Sequence, residues 1–316
     1  MSVFSGSVIY KMIESILNGE HFSEHSESSS LKVSDNMPEI KTDDTDRNRT
    51  SPFAFIGNRF EFRALGASMN ATAAAYILNS VVAESLNDFK TFVDAYQESG
   101  CSKEESINKT IKDFFNESKN ILFEGDGYSQ EWIKEAEARG LKGVSNVPDA
   151  FDVYIAPDTA KMYKSLGVLT QNEIDARYEV VNESYVKKLQ IEARTMEDIC
   201  KNIIIPSAIA YLNTLSSNMM TCTSLFGDGA DNISKTSRDL YLEISRLVNS
   251  AFDKIKDLNS QRAEANKISV ISDRAKAYSK VVKPILDEVR ISVDKLEEYV
   301  GDDFWPLPKY RELLNI

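Results

Sequence analysis

Residues 47–66 read RNRTSPFAFIGNRFEFRALG, and the fold turns on how this segment is taken. Phenylalanines recur with period two at Phe53 and Phe55 and again at Phe60 and Phe62, on either side of Gly57 and Asn58, a pair suited to a tight turn. The spacing predicts a β-hairpin between Arg49 and Leu65, and no other segment carries a comparable strand signal. Successive strand side chains point to opposite faces, so Arg59, Glu61 and Arg63 share one face while Phe60 and Phe62 share the other. The phenylalanines are expected to anchor the strand in the core. Alternate residues on a strand lie about 6.6 Å apart, which puts Glu61 between two guanidiniums. An exposed Arg–Glu–Arg ladder of this kind contributes little net stability. The chemical reading differs: arginines offer planar donors to phosphate and carboxylate oxygens, and a carboxylate can hold a divalent metal. The RNR run just upstream brings a second arginine pair within hairpin reach, which makes a site for a nucleotide's phosphates plus a metal.

Beyond Gly66 the period changes to that of a helix. A small-residue helix is expected around ASMNATAAAYILNSVVAESLNDFKTFVDAY, then helices over 106–122 and 129–139, a loop GLKGVSNVPDAF, and a short helix over 160–166. Thr170 with Glu173 forms a capping box, and an amphipathic pattern runs from there to Pro206, which should kink or break it. Leu240, Ile244, Leu247, Ala251, Ile255 and Leu258 step by three and four, as do Ile285, Val289, Val293, Leu296 and Val300, with Pro284 expected to bend the second run. Two long antiparallel helices packed as a hairpin follow from these patterns. Upstream of the hairpin, Val8–Leu17 has helical spacing that ends at Gly19. The stretch HFSEHSESSSLKVSDNMPEIKTDDTD has no period and reads as an exposed loop. His21 and His25, beside Glu20, Glu24 and Glu27, are either metal ligands or plain solvated side chains.

The chain of 316 residues has room for one or two domains with a sizeable core. It is 42% hydrophobic and 27% charged, with no apolar run long enough to span a membrane and no secretory leader pattern, so a cytoplasmic protein is expected. The three cysteines, Cys101, Cys200 and Cys222, are far apart and imply neither a disulfide framework nor a zinc site. Net charge is -12, from 37 basic against 49 acidic residues, which argues against nucleic-acid binding. A phosphate ligand of the arginines should therefore be small.

The run DRNRTSPFAFIGNRFEFRALG, leading into AAYILNSVVAESL, resembles the catalytic C-terminal part of glutamine synthetase in its long type III form. GDGYSQEWIKEAEARGL, ARYEVVNESYVKKLQIEARTMEDI, IPSAIAYL and FWPLPKYRELL resemble the same family, in order, to the C-terminus. The resemblance implies a mainly α fold: a remnant of a catalytic β-barrel within residues 1–66, then a helical domain over 67–316 containing a long helical hairpin. It implies that ATP phosphorylates glutamate and that ammonia displaces phosphate from the acyl phosphate, with Mg2+ or Mn2+ required. By resemblance Glu61 is a metal ligand on the ATP side and Arg63 contacts substrate glutamate and the transferred phosphoryl group. Arg49 resembles an arginine that binds the nucleotide's phosphates, and Arg59 another phosphate-proximal one. Ala54 stands where shorter forms have a further arginine.

The family enzyme is longer, and its β-grasp domain, most barrel strands, the other metal ligands and the adenine contacts have no counterpart here. A fragment or truncated product, or one piece of a split enzyme completed by an N-terminal partner chain, is expected, with no glutamine formation by the chain alone. The family also implies ring-shaped homo-oligomers. The competing reading is a non-catalytic helical scaffold or regulatory interaction module.

Overall fold

The computed structural model describes residues 2–20, 30–31, 40–41, 49–56, 59–63, 70–141 and 143–314. His21, His25, most of the serine- and acid-rich stretch, Arg47 and the Gly57–Asn58 turn lie outside them. The fold is mainly α, and the chain forms two compact units, residues 1–145 with 161–169, and residues 146–160 with 170–316.

The first unit holds the sheet. Strands β1 (Val3–Phe4), β4 (Phe53–Phe55) and β5 (Phe60–Phe62) lie in the order β1-β4-β5. β1 runs parallel to β4, and β4 runs antiparallel to β5 with Phe53 opposite Phe62, Ala54 opposite Glu61 and Phe55 opposite Phe60. The Ile56 amide donates to the Arg59 carbonyl at 2.8 Å, closing the expected hairpin. A separate two-stranded ladder pairs β2 (Ser30–Leu31) with β3 (Ile40–Lys41), inside the stretch whose sequence reads as loop. Helix α1 (Ser7–Asn18) ends where Gly19 takes a left-handed conformation, φ 73°.

The phenylalanine face is not in the core. Phe60 is 53% and Phe62 40% exposed, whereas Ala54 on the opposite face is fully buried. The rings pack on one another instead, Phe53 stacked on Phe60 with centroids 5.0 Å apart and Phe55 tilted on Phe60 at 5.3 Å. Period two shows that the faces differ, but small Ala54, not the bulky rings, occupies the inward side.

Helices α2 (Thr72–Glu98) and α3 (Lys103–Ser118) form an antiparallel pair, turned at Gly100 (φ 97°) and held by Phe89 and Phe92 against Phe114 and by Tyr96 Oη donating to Asp113 at 2.6 Å. Ser102 and Glu105 cap α3 reciprocally. Helix α4 (Gln130–Ala138) begins at Ser129, which caps Trp132 N.

In the second unit α5 (Val147–Phe151) precedes α6 (Pro157–Ser165), where the chain passes between units. Then α7 (Gln171–Ile199), with the expected Thr170–Glu173 capping box, continues through a π-type turn at Cys200–Ile204 into α8 (Ile205–Phe226). After the short α9 (Ala230–Ile233) come α10 (Lys235–Asn266), α11 (Ile271–Ala277), a second π-type turn at Tyr278–Val282, α12 (Lys283–Tyr299) and the terminal α13 (Tyr310–Leu313). Both π-type turns immediately precede a helix with proline in its first turn, Pro206 and Pro284. Proline lacks an N–H and clashes with the preceding turn, and one widened turn accommodates it without ending the rod.

The expected hairpin is α10 against α12, antiparallel, with Ser250 facing Ser292 (3.1 Å) and Lys254 paired to Glu288. α7 and α8 run back along α10 as a third rod, through Asn259 donating to Glu197 (2.6 Å) at one level and Ser237 to Asn218 (3.1 Å) at another. Two apolar clusters fill the bundle. One gathers Val186, Leu189, Ala251, Ile255, Leu258, Tyr278 and Val289, the other Ile204, Leu212, Ile244, Leu247, Leu296 and Trp305.

Candidate functional site

The four sequence-selected residues lie on and beside the β4–β5 hairpin. Arg63 Nε donates to Glu61 Oε1 at 3.0 Å, and its Nη1 donates to the Ser51 carbonyl at 3.2 Å. The Arg63 amide donates to the Pro52 carbonyl at 2.8 Å, so both backbone and guanidinium hold it to the segment leading into β4. Its side chain is 14% exposed, against 44% for Glu61. A tethered cation thus sits next to a wetter carboxylate that can take a second partner. Arg59 lies at the turn end of β5 and is exposed. Arg49 is exposed and holds φ 55°, the only non-glycine residue in the left-handed region among the described residues. That conformation is costly for a side chain with a Cβ and marks the position before Thr50 as held by its surroundings.

Those surroundings are the GDG loop. Gly127 N donates to the Thr50 carbonyl at 2.7 Å, and a Cβ at Gly127 would lie 2.2 Å from Ser2 Oγ and 3.1 Å from that carbonyl, so only glycine fits the approach. Glu124, just before the loop, accepts from Ser5 N (3.0 Å), Ser5 Oγ (2.8 Å) and Gly6 N (3.1 Å), fastening the start of α1. Phe123 N donates to Val3 O at 3.1 Å, extending the sheet edge. Behind this edge, Phe123 stacks on buried Trp132 at 4.4 Å, and Arg139 lies over the indole and donates to the Leu122 carbonyl at 2.9 Å. From sequence, Asp126 reads as a plain turn residue, and it does accept from Tyr128 N at 3.0 Å. The positioning roles of Glu124 and Gly127 were missed, and the available signal was the paired glycines flanking Asp126.

Ala54, fully buried opposite Glu61, offers no contact to a phosphate. Among the described residues no group of three metal-ligating side chains forms. Hard divalent cations take about six oxygens, so the described carboxylates do not by themselves make a Mg2+ or Mn2+ site.

Comparison with known proteins bears on the whole chain. Residues 106–223 match the family model described as glutamine synthetase C-terminal domain. A protein named glutamine synthetase from Bacteroides fragilis (strain YCH46) is 39% identical over 99% of this chain, and a type-3 glutamine synthetase from Dictyostelium discoideum is 30% identical over 99%. The chain is similar along its length to these glutamine synthetases. A further glutamine synthetase, from Butyrivibrio fibrisolvens, is 27% identical over the same share. The chain spans 43–44% of the length of these relatives. The similarity to glutamine synthetases runs through the bundle as well as the strands, which does not favour a separate scaffold module.

Proposed function

We propose that this chain is the C-terminal portion of a type-3 glutamine synthetase and takes part in ATP-dependent ligation of ammonia to glutamate. The observation that carries this is the Glu61–Arg63 pair, fixed at 3.0 Å and tied to Ser51, in a chain similar to glutamine synthetases along its length. Phosphoryl transfer and attack on an acyl phosphate need charge neutralisation and positioning more than a covalent catalyst. In this reading Arg63 meets the carboxylate substrate and the phosphoryl group in flight, held in place by the Ser51 carbonyl. Arg49 and Arg59 neutralise nucleotide phosphates. Glu61 gives one oxygen to Mg2+ or Mn2+, whose other donors come from outside the described residues.

The complete enzyme is a cytoplasmic ring-shaped homo-oligomer in this reading, and this span is inactive alone. No helix among the described residues is long and apolar enough to cross a membrane. The test is a chimaera in which this chain replaces the matching segment of the Bacteroides fragilis enzyme. Glutamine formation from ATP, glutamate and ammonia is expected, with Arg63→Ala removing it. A folded chimaera without activity, or one indifferent to Arg63→Ala, overturns the reading.

A further inference from the structure

Helix α8 presents a surface unlike its neighbours. Residues 202–227, which include all of it, carry no charged side chain, although 27% of the chain is charged. One side of the helix is core, where Ala208, Leu212 and Leu215 are buried. The other side is open to water, yet neutral. Ile209 is 46%, Met220 74% and Leu225 70% exposed. The adjoining α10 keeps charges at its exposed positions, Lys235, Arg238, Asp239 and Arg246 among them. A solvated helix face ordinarily carries such charges, and large apolar side chains on a charge-free face mark a contact surface.

Pro206, Ala210, Asn213, Ser217, Met220 and Ser224 are all exposed and step by four and three, which aligns them along the open side as the seam by which two helices pack. Their sizes select a direction. Laid antiparallel on an identical seam with Ala210 opposite Met220, the helix also sets Asn213 opposite Ser217 and Pro206 opposite Ser224. Each larger residue then meets a smaller one. Ser217 Oγ donates to the Asn213 carbonyl of its own helix at 2.9 Å and can accept from the amide of the facing Asn213. Laid parallel, Met220 would meet Met220 and Ala210 would face Ala210 across a gap. The antiparallel arrangement also opposes the two helix dipoles, and a single two-fold axis closes it.

Charge decides the occupant. The chain carries a net charge of -12, so two copies repel wherever acidic surfaces meet, and this neutral face is where they can approach. Helices that lie on membrane surfaces are rich in Lys and Arg, which α8 lacks. We infer that α8 is a self-association surface, on which α8 of a second copy of this chain packs antiparallel about a two-fold axis. The contact belongs to the helical unit and does not depend on the ligase reading.

Sedimentation velocity of the full chain over a range of micromolar concentrations tests this, and a concentration-dependent dimer is expected. Met220→Glu, at an exposed position, should raise the dissociation constant roughly thirtyfold or more while leaving the circular dichroism spectrum unchanged. Adding Ala210→Lys to Met220→Glu should restore the dimer, because each lysine then meets the partner's glutamate. Within one chain the two positions are about 15 Å apart along the helix and cannot pair. In a parallel dimer the same double variant would set like charges together and weaken association further. The inference fails if the chain stays monomeric, which would leave the face to another partner, or if a dimer forms that Met220→Glu does not weaken. It also fails if Ala210→Lys does not restore association to the folded Met220→Glu variant.

Discussion

Replacing Gly127 by alanine tests how the arginine segment is held. The new Cβ would lie 2.2 Å from Ser2 Oγ, 3.1 Å from the Thr50 carbonyl and 3.5 Å from Pro52 Cδ. The first contact is impossible and the second is tight, and it falls on the carbonyl that accepts from Gly127 N. Overpacking of this kind costs about 1–3 kcal/mol. Ser2 is fully buried and its Oγ has no partner among the described residues, so Ser2→Ala alone should lie within about 0.5 kcal/mol of wild type. Combining the two removes the worst contact, and the double variant should recover about half or more of the loss, a coupling of roughly 1 kcal/mol. Urea unfolding followed by Trp132 fluorescence in a Trp305→Phe background isolates this unit. A Gly127→Ala cost below about 0.5 kcal/mol, or one that Ser2→Ala does not reduce, refutes the reasoning. In an active assembly the same variant should lower turnover, since Thr50 follows Arg49.

The helical core should respond to Leu258→Ala, fully buried, by about 2–5 kcal/mol, whereas Leu242→Ala on the same helix, 60% exposed, should fall within about 0.5 kcal/mol; Trp305 fluorescence with Trp132→Phe reads both. Asp152 is pushed upward by burial, but hydrogen bonds from Lys276 and Tyr178 outweigh this and hold its carboxyl below the usual range. Its contribution is therefore present above the unfolded carboxyl's pKa, about 3.9, and is lost as pH falls through the folded value. Thermal melts of wild type and Asp152→Asn should differ at pH 6 and converge towards pH 3. Hydrogen bonds from Lys109 and Ser99 lower the Cys101 thiol, while burial raises Cys200 to about 11, so iodoacetamide at pH 8 should label Cys101 well before Cys200 in peptide mass maps.

Much of this architecture is legible in the residues, because the strongest signals are local. The Thr170–Glu173 box, the stepped apolar positions of α10 and α12 and the paired phenylalanine runs each depend on neighbours a few residues away. Ser102 with Glu105 was equally local, and it sets α3 to begin at Lys103, ahead of the expected 106. What escaped depends on distant partners. β1 is two residues long and exists because β4 pairs with it. The inward side of the hairpin is decided by what packs on Ala54, which period two cannot show. Pro206 and Pro284 announced disturbances in their helices, but not that a π-type turn would absorb each one. At the site, Glu61 and Arg63 were evident from alternation, whereas Glu124 and Gly127 act on residues more than seventy-five positions away.

The most direct test mixes this chain with a separately made N-terminal portion of a type-3 glutamine synthetase and measures glutamine formed from ATP, glutamate and ammonia with Mg2+. Activity in the mixture alone, lost with Glu61→Ala in this chain, is the expected result. No activity with both pieces folded, or activity that Glu61→Ala leaves unchanged, would contradict the account.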